Sequence, residues 1–212
     1  MIQTLKYGEP ILKAEYIEDE HDYKIDKLSV IINLSFDNKE DILIENIPLK
    51  AMRGTIAGHT TIPYIDKAVV FTNWEDLAND PDVFDKFAEA WPSMYSIRPE
   101  ERFKDVPFYH ADGEFVHDGM LYIDTNCLAA PRMLGMHQTH ARDIDEYHCQ
   151  MLGYGAMQEF HEKDDVSTKF REMSMAPGQV HDPLFDENGA YPWHQYEAYT
   201  PVVFTGIHVT RK

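Results

Sequence analysis

The side chains best suited to chemistry lie in the second half of this sequence. Of its 11 histidines, all but His21 and His59 follow residue 107. One group of polar residues runs through His137, His140 and His148. A second group, near the end, reads Tyr191-Pro192-Trp193-His194-Gln195. Imidazole and carboxylate groups are the usual ligands of borderline divalent cations, so the sequence predicts a metal site.

The segment Glu146-Tyr147-His148-Cys149-Gln150-Met151 alternates polar and apolar residues. On a β-strand this pattern places Glu146, His148 and Gln150 on one face and the three other side chains on the opposite face. The polar face lines either a wet or metal-bearing interior or the solvent. In the first case Glu146 and His148 are candidates for moving a proton during catalysis.

The spacing of the preceding residues orders the candidate metal ligands. His140 precedes Glu146 by six residues, and a short turn can bring both onto adjacent strands. Gln138 and His140 share the parity of an inward face, whereas His137 enters the site only through a bulge. We therefore rank His140 and Glu146 above His137 as ligands.

Other polar and aromatic residues are candidates for contact with a substrate, namely Gln138, Gln150, Tyr191, Trp193 and Gln195. The aromatic members can instead pack the rim of a β-structure. His110, His117 and His208 follow no ligand spacing, and we interpret them as structural.

Composition excludes several classes of function. The formal net charge of −18 argues against nucleic acid and anionic membranes as partners. The sequence contains no apolar run near the roughly 20 residues of a membrane span, and Met1 to Leu5 show no signal-peptide pattern. Cys127 and Cys149 form no redox or metal motif, so we expect a cytoplasmic protein. A homodimer joined through N-terminal strands is a further expectation.

Turn residues and apolar periodicity predict a mainly β domain over residues 1–212. Strands are expected at Ile11 to Tyr16, Leu28 to Phe36 and Ile42 to Ile47, with one helix near 74–91 that Asn73 caps and Pro92 ends. We expect residues 1–130 to decorate a core formed by 131–210.

Two segments carry a family resemblance. GMHQTHARDIDEYHCQMLGYGAMQEF, followed by EMSMAPGQVH and later YPWHQYEAYTPVVF, resembles the two signature motifs of the cupin superfamily. The resemblance implies a small antiparallel β-barrel (a jelly roll, or double-stranded β-helix). It also implies one divalent metal ion (Fe, Zn, Ni or Mn) held by His140, Glu146 and His194, with His137 as a further candidate. The long piece after Pro177-Gly178 contains His181, which can replace His194 as the late ligand.

Within the cupins, HARDIDEYHCQMLGYGAM, EMSMAPG and EAYTPVVFTGIHV resemble cupin-type phosphoglucose isomerases. That resemblance implies isomerisation of a sugar or hydroxy acid. Tyr154 in place of the family's lysine argues against a phosphate clamp and favours a neutral sugar or a hydroxy acid. The spacing from His140 through Glu146 and Gln150 to Gly153 is similar to 3-hydroxyanthranilate 3,4-dioxygenase, which implies Fe(II) chemistry instead. Metal-assisted lyase chemistry, and small-ligand binding without turnover, remain open alternatives.

Overall fold

The computed structural model describes residues 1–138, 143–185 and 189–210. Its first part is an N-terminal sheet with strand order β1-β2-β7-β3-β6, beside a β4-β5 hairpin. The strands are β1 Ile2–Leu5, β2 Ala14–Ile25, β3 Ser29–Asn33, β4 Ile42–Ile44, β5 Ile47–Leu49, β6 Gly54–Ala57 and β7 Thr60–Phe71. Three helices follow: α1 Trp74–Ala78, α2 Val83–Ala90 and α3 Met94–Ile97, with a 3-10 turn at Glu101–Phe103.

The second part consists of two antiparallel sheets. The large wall has the order β14-β11-β16-β9-β8, and the small wall has the order β10-β15-β12-β13. Their strands are β8 Phe108–His117, β9 Leu121–Leu128, β10 Arg132–Met133, β11 Ile144–Leu152, β12 Gly155–Phe160, β13 Lys169–Met175, β14 Val180–His181, β15 Trp193–Ala198 and β16 Val202–Thr210. From β10 to β16 the chain changes wall at every connection except β12 to β13. This order is that of a double-sheet jelly roll, the architecture of cupins, and the predicted fold class is confirmed.

Alternation along the strands of the large wall explains its two faces. In β9, Leu121, Ile123 and Cys127 are completely buried in a core shared with the N-terminal sheet, whereas Asp124 and Asn126 face the space between the walls. In β11, Cys149 and Met151 enter the same core, whereas the alternate residues Glu146, His148 and Gln150 face the cavity. The N-terminal sheet therefore covers the back of the large wall and leaves its polar face to the cavity.

An ion pair links the segment after β14 to the N-terminal part of the chain. Arg53 follows the β4-β5 hairpin and makes a bidentate ion pair with Asp182, at 2.7 and 2.8 Å. Asp182 comes directly after β14, so this pair fixes the point where the chain leaves the large wall.

The prediction of a single helix near 74–91 is wrong, because two short helices occupy this range with a break at 79–82. Pro81 disfavours helical geometry at Asp80, and the Asp80 Oδ1 atom accepts a hydrogen bond from the Asp82 amide at 3.0 Å. Asn73 stands at the start of α1 without capping it. Its amide group instead bonds to the backbone of Lys13 and Ile11, at 3.0 and 2.7 Å.

The boundary expected after residue 130 does not coincide with a break between sheets. Strands β8 and β9 lie before it and belong to the same wall as β11 and β16. Local patterning could not show this, because antiparallel pairing joins strands that are far apart in sequence. In the described part of the chain, the helices are too short and too polar to cross a membrane.

Candidate metal and substrate site

A cavity of about 600 Å³ lies between the two walls. One end of it is covered by α3 and the following 3-10 turn, whose Met94 and Phe103 belong to the apolar core between the walls. The polar side chains that line the cavity are Arg98, Arg102, His110, Asp124, Asn126, His137, Glu146, His148, Gln150, His181, Tyr191, His194, Tyr196 and His208. Such a mixture of apolar wall and convergent polar groups is typical of a small-molecule site.

Glu146 lies between two imidazoles on the large wall. Its Oε1 atom is 3.7 Å from Nε2 of His148 and 3.8 Å from Nε2 of His208. His148 is two residues along β11 from Glu146, and His208 is its register partner on β16. The predicted sharing of one face by Glu146, His148 and Gln150 is therefore what the structure shows.

The buried His181 fixes the tautomer of His148. Nδ1 of His181 lies 2.8 Å from the carbonyl oxygen of Asp182, which can only accept, so Nδ1 of His181 carries the proton. Nε2 of His181 then accepts a hydrogen bond from Nδ1 of His148, at 2.9 Å. Burial and the neighbouring His148 lower the pKa of His181 to about 3, which keeps it neutral. Nε2 of His148 is thus the nitrogen directed toward Glu146.

On the small wall, His137 and His194 lie side by side. Their backbones form an isolated antiparallel bridge, and their ring centroids are 4.2 Å apart. Nδ1 of His194 donates to the carbonyl oxygen of Pro192 at 2.9 Å, and Nδ1 of His137 points at that of Gly135, 3.4 Å away. Bonds of this kind orient the Nε2 nitrogen toward a metal in many proteins. His137 lies outside a regular strand, so the parity argument against it does not apply.

The leading predicted ligand, His140, lies outside the described residues. Within the described ranges, no three histidine, cysteine or acidic side chains come together closely enough to hold a metal ion by themselves. Glu146 lines the cavity from the large wall, and His194 lines it from the small wall. His181, the alternative late ligand, also lines the cavity. The donor types therefore fit a divalent cation.

Two histidines that we interpreted as structural also line the cavity. His208 lies 3.6 Å from Asp124, while Nδ1 of His110 lies 2.9 Å from the Asn126 amide oxygen. Burial by itself would lower the pKa of His208. The hydrogen bond to Asp124 and the negative charges of Asp124 and Glu146 have the larger effect, so the pKa of His208 is raised above its ordinary value. One signal in the sequence was the pair Asp124 and Asn126, two polar residues at alternate positions of a strand that is otherwise mostly apolar.

The predicted substrate contacts divide into two groups. Gln150 and Tyr191 line the cavity, but the amide of Gln150 is already satisfied: it accepts from the Tyr196 hydroxyl and donates to the Leu152 carbonyl, both at 2.8 Å. Gln138 is exposed and donates to the backbone of Tyr191 at 2.8 Å.

Trp193 and Gln195 do not line the cavity. On β15 the inward residues are His194 and Tyr196, so the pleat directs Trp193 and Gln195 to the other face. Gln195 there donates to the Gln158 side chain at 2.8 Å. A ligand between the walls would not reach these two side chains, and we withdraw them as substrate contacts.

Comparisons with known proteins find similar chains only among solved structures. No protein-family model matches the sequence, and no curated protein matches it. Among solved structures, an RmlC-like cupin protein from Desulfovibrio desulfuricans aligns over 48% of this chain and 81% of its own, with 13% identity and a TM-score of 0.34.

Two further structures have similar scores. Ectoine synthase from P. lautus aligns over 50% of this chain and 65% of its own, with 7% identity and a TM-score of 0.35. An HTH_3-family transcriptional regulator from Vibrio cholerae aligns over 66% and 94%, with 15% identity and a TM-score of 0.36. These scores are too low to transfer any activity. By the order of its strands, this chain has the fold of the cupin superfamily.

Proposed function

We propose that this protein is a divalent-metal-dependent enzyme that moves a proton on a small oxygenated metabolite, with isomerase, epimerase or lyase chemistry. One observation carries the proposal: a histidine of fixed tautomer, His148, lies beside Glu146 on the wall of a cavity of about 600 Å³. Apolar side chains that enclose a few convergent polar groups are the usual setting for such chemistry.

In this proposal, His140, Glu146 and His194 hold the metal, with His137 as a further ligand. When bound, a divalent cation would act as a Lewis acid and polarise the carbonyl and hydroxyl oxygens of the substrate. Two imidazoles and a carboxylate suit Zn, Fe, Ni or Mn. His137 and His194 already have Nδ1 directed to backbone carbonyls, which prepares Nε2 for ligation.

Nε2 of His148 takes and returns the substrate proton. The hydrogen bond from His148 Nδ1 to His181 holds the imidazole ring in place. Because the Asp182 carbonyl fixes the proton of His181 at Nδ1, His181 accepts from His148 and keeps the basic nitrogen of His148 toward the cavity.

Metal content tests the first half of the proposal. The protein is purified without added metal, and bound metals are measured by mass spectrometry. We expect His140→Ala and His194→Ala to abolish tight binding and Glu146→Gln to weaken it roughly 10-fold or more. His161→Ala is the matched control, because His161 is exposed and stacks on Phe170 instead of lining the cavity. Full occupancy in both the His140 and His194 variants would refute the ligand assignment.

Proton exchange tests the second half. Metal-loaded protein is incubated in D₂O with a panel of aldoses, ketoses and hydroxy acids, and deuterium incorporation at carbon is followed by NMR. His148→Gln should abolish exchange while retaining the metal. Oxygen uptake with Fe(II)-loaded protein in place of exchange would overturn proton transfer in favour of a dioxygenase. Binding without either reaction would leave a small-ligand binding protein.

A further inference from the structure

Two arginines that no motif predicted reach the cavity. Arg98 and Arg102 belong to the Ile97-Arg98-Pro99-Glu100-Glu101-Arg102-Phe103 segment, which lies before the jelly roll in sequence and covers one end of its cavity. Among the described residues no lysine lines the cavity, so these guanidinium groups are its permanent positive charges.

Glu100 holds the two arginines together. Its Oε1 atom accepts from Nη2 of Arg98 at 2.5 Å, and its Oε2 atom accepts from Nε of Arg102 at 2.6 Å. Both guanidinium groups also lie over the ring of Phe103, at 5.7 and 4.3 Å from its centroid. One carboxylate and one aromatic ring thus orient two cations, which leaves a net positive charge in this cluster.

The hydrogen bonds of the cluster leave donors for a ligand. The described residues accept from Arg102 only at Nε, so its two terminal nitrogens have no acceptor among them. The Arg102 side chain is 20% exposed, whereas that of Arg98 is 54% exposed. A partly desolvated guanidinium binds an oxyanion more strongly than one in open water, because solvent screens it less.

Arg102 packs against the loop that precedes His137. A Cβ atom placed on Gly135 would be 3.6 Å from the Cβ atom of Arg102. Gly135 also provides the carbonyl to which His137 directs Nδ1. Arg102 therefore packs beside the loop that carries His137, and both side chains line the same cavity.

We propose that the substrate carries a carboxylate or phosphate group, which Arg102, with Arg98, binds at this end of the cavity. This inference rests on the proposed function, which concerns the reacting part of the same substrate. It favours a hydroxy acid over a neutral sugar, and it restores the phosphate group against which Tyr154 argued. In a chain of net charge −18, an anionic substrate needs local positive charge to enter the cavity, and the arginine pair provides it.

Calorimetric titration of metal-free protein at pH 8 tests this site with three probes: inorganic phosphate, succinate and neutral succinamide. We expect one or both anions to bind and succinamide not to bind. The affinity should fall at least about 10-fold in Arg102→Gln and less in Arg102→Lys, which keeps the charge but loses the planar fork. The ratio of the phosphate and succinate affinities identifies the preferred anion.

Arg132→Gln is the matched control, because Arg132 is exposed on β10 and does not line the cavity. Circular dichroism confirms that each variant is folded. Equal anion affinities in the wild type and Arg102→Gln, or no anion binding by the wild type at millimolar concentrations, would overturn the proposal. Metal content of the wild type as purified, measured before the metal is removed, separates the two proposals. Normal metal content without anion binding by the wild type refutes only the arginine site, and anion binding without bound metal refutes only the metal enzyme.

Discussion

The buried His181 predicts a specific dependence of stability on pH. His181 is 5% exposed, and burial lowers its pKa to about 3 from an ordinary value of 6.5. Below about pH 6.5 the unfolded chain takes up a proton on this imidazole, while the folded chain does not until about pH 3. The unfolded state then binds more protons, so the free energy of unfolding falls as the pH falls through this range.

The size of the effect follows from these two values. From pH 7 to pH 5 the titration of His181 should lower the free energy of unfolding by about 2 kcal/mol. His181→Gln removes the titrating group and keeps an amide oxygen that can accept from Nδ1 of His148. The pH dependence of the variant should therefore be flatter than that of the wild type by about 2 kcal/mol over the same range.

Urea unfolding of metal-free protein, followed by tryptophan fluorescence at pH 5 and pH 7, measures this difference. Other groups titrate in the same range, so the comparison between wild type and variant carries the result. His161→Gln is the control and should keep the wild-type slope, because His161 is exposed. Identical pH dependence in wild type and His181→Gln would refute the claim that His181 stays neutral in the folded state.

Two further predictions concern the backbone and the large wall. Gly153→Ala should lower the free energy of unfolding by at least about 2 kcal/mol, because φ is +71° and the new Cβ would lie 1.9 Å from the Pro201 carbonyl oxygen. Gly119→Ala, with the same φ and no atom within 4 Å, should cost only about 1 kcal/mol, and equal losses in urea unfolding would contradict the steric argument. Asp124→Asn should lower the pKa of His208, since Asp124 raises it through a hydrogen bond and its charge. An NMR titration that finds this pKa unchanged would show that Asp124 does not set it.

Local pattern determined much of the fold and part of the site. Period-two alternation in Glu146 to Met151 correctly separated the cavity face from the core face, because a strand directs successive side chains to opposite sides. The break at Asp80-Pro81 was also present in the sequence, and the single-helix prediction overlooked it. Turns and alternation predicted a mainly β domain, whereas the jelly-roll class came from the resemblance of the two motif segments to cupins.

Only the tertiary structure decided which distant residues meet. His208 faces Glu146 because β16 pairs with β11, and Asp124 faces His208 because β9 pairs with β16. Arg98 and Arg102 reach the cavity because their segment folds over its end. Strand pairing and the packing of one segment on another depend on contacts between residues far apart in the chain, and spacing along the chain does not encode such contacts.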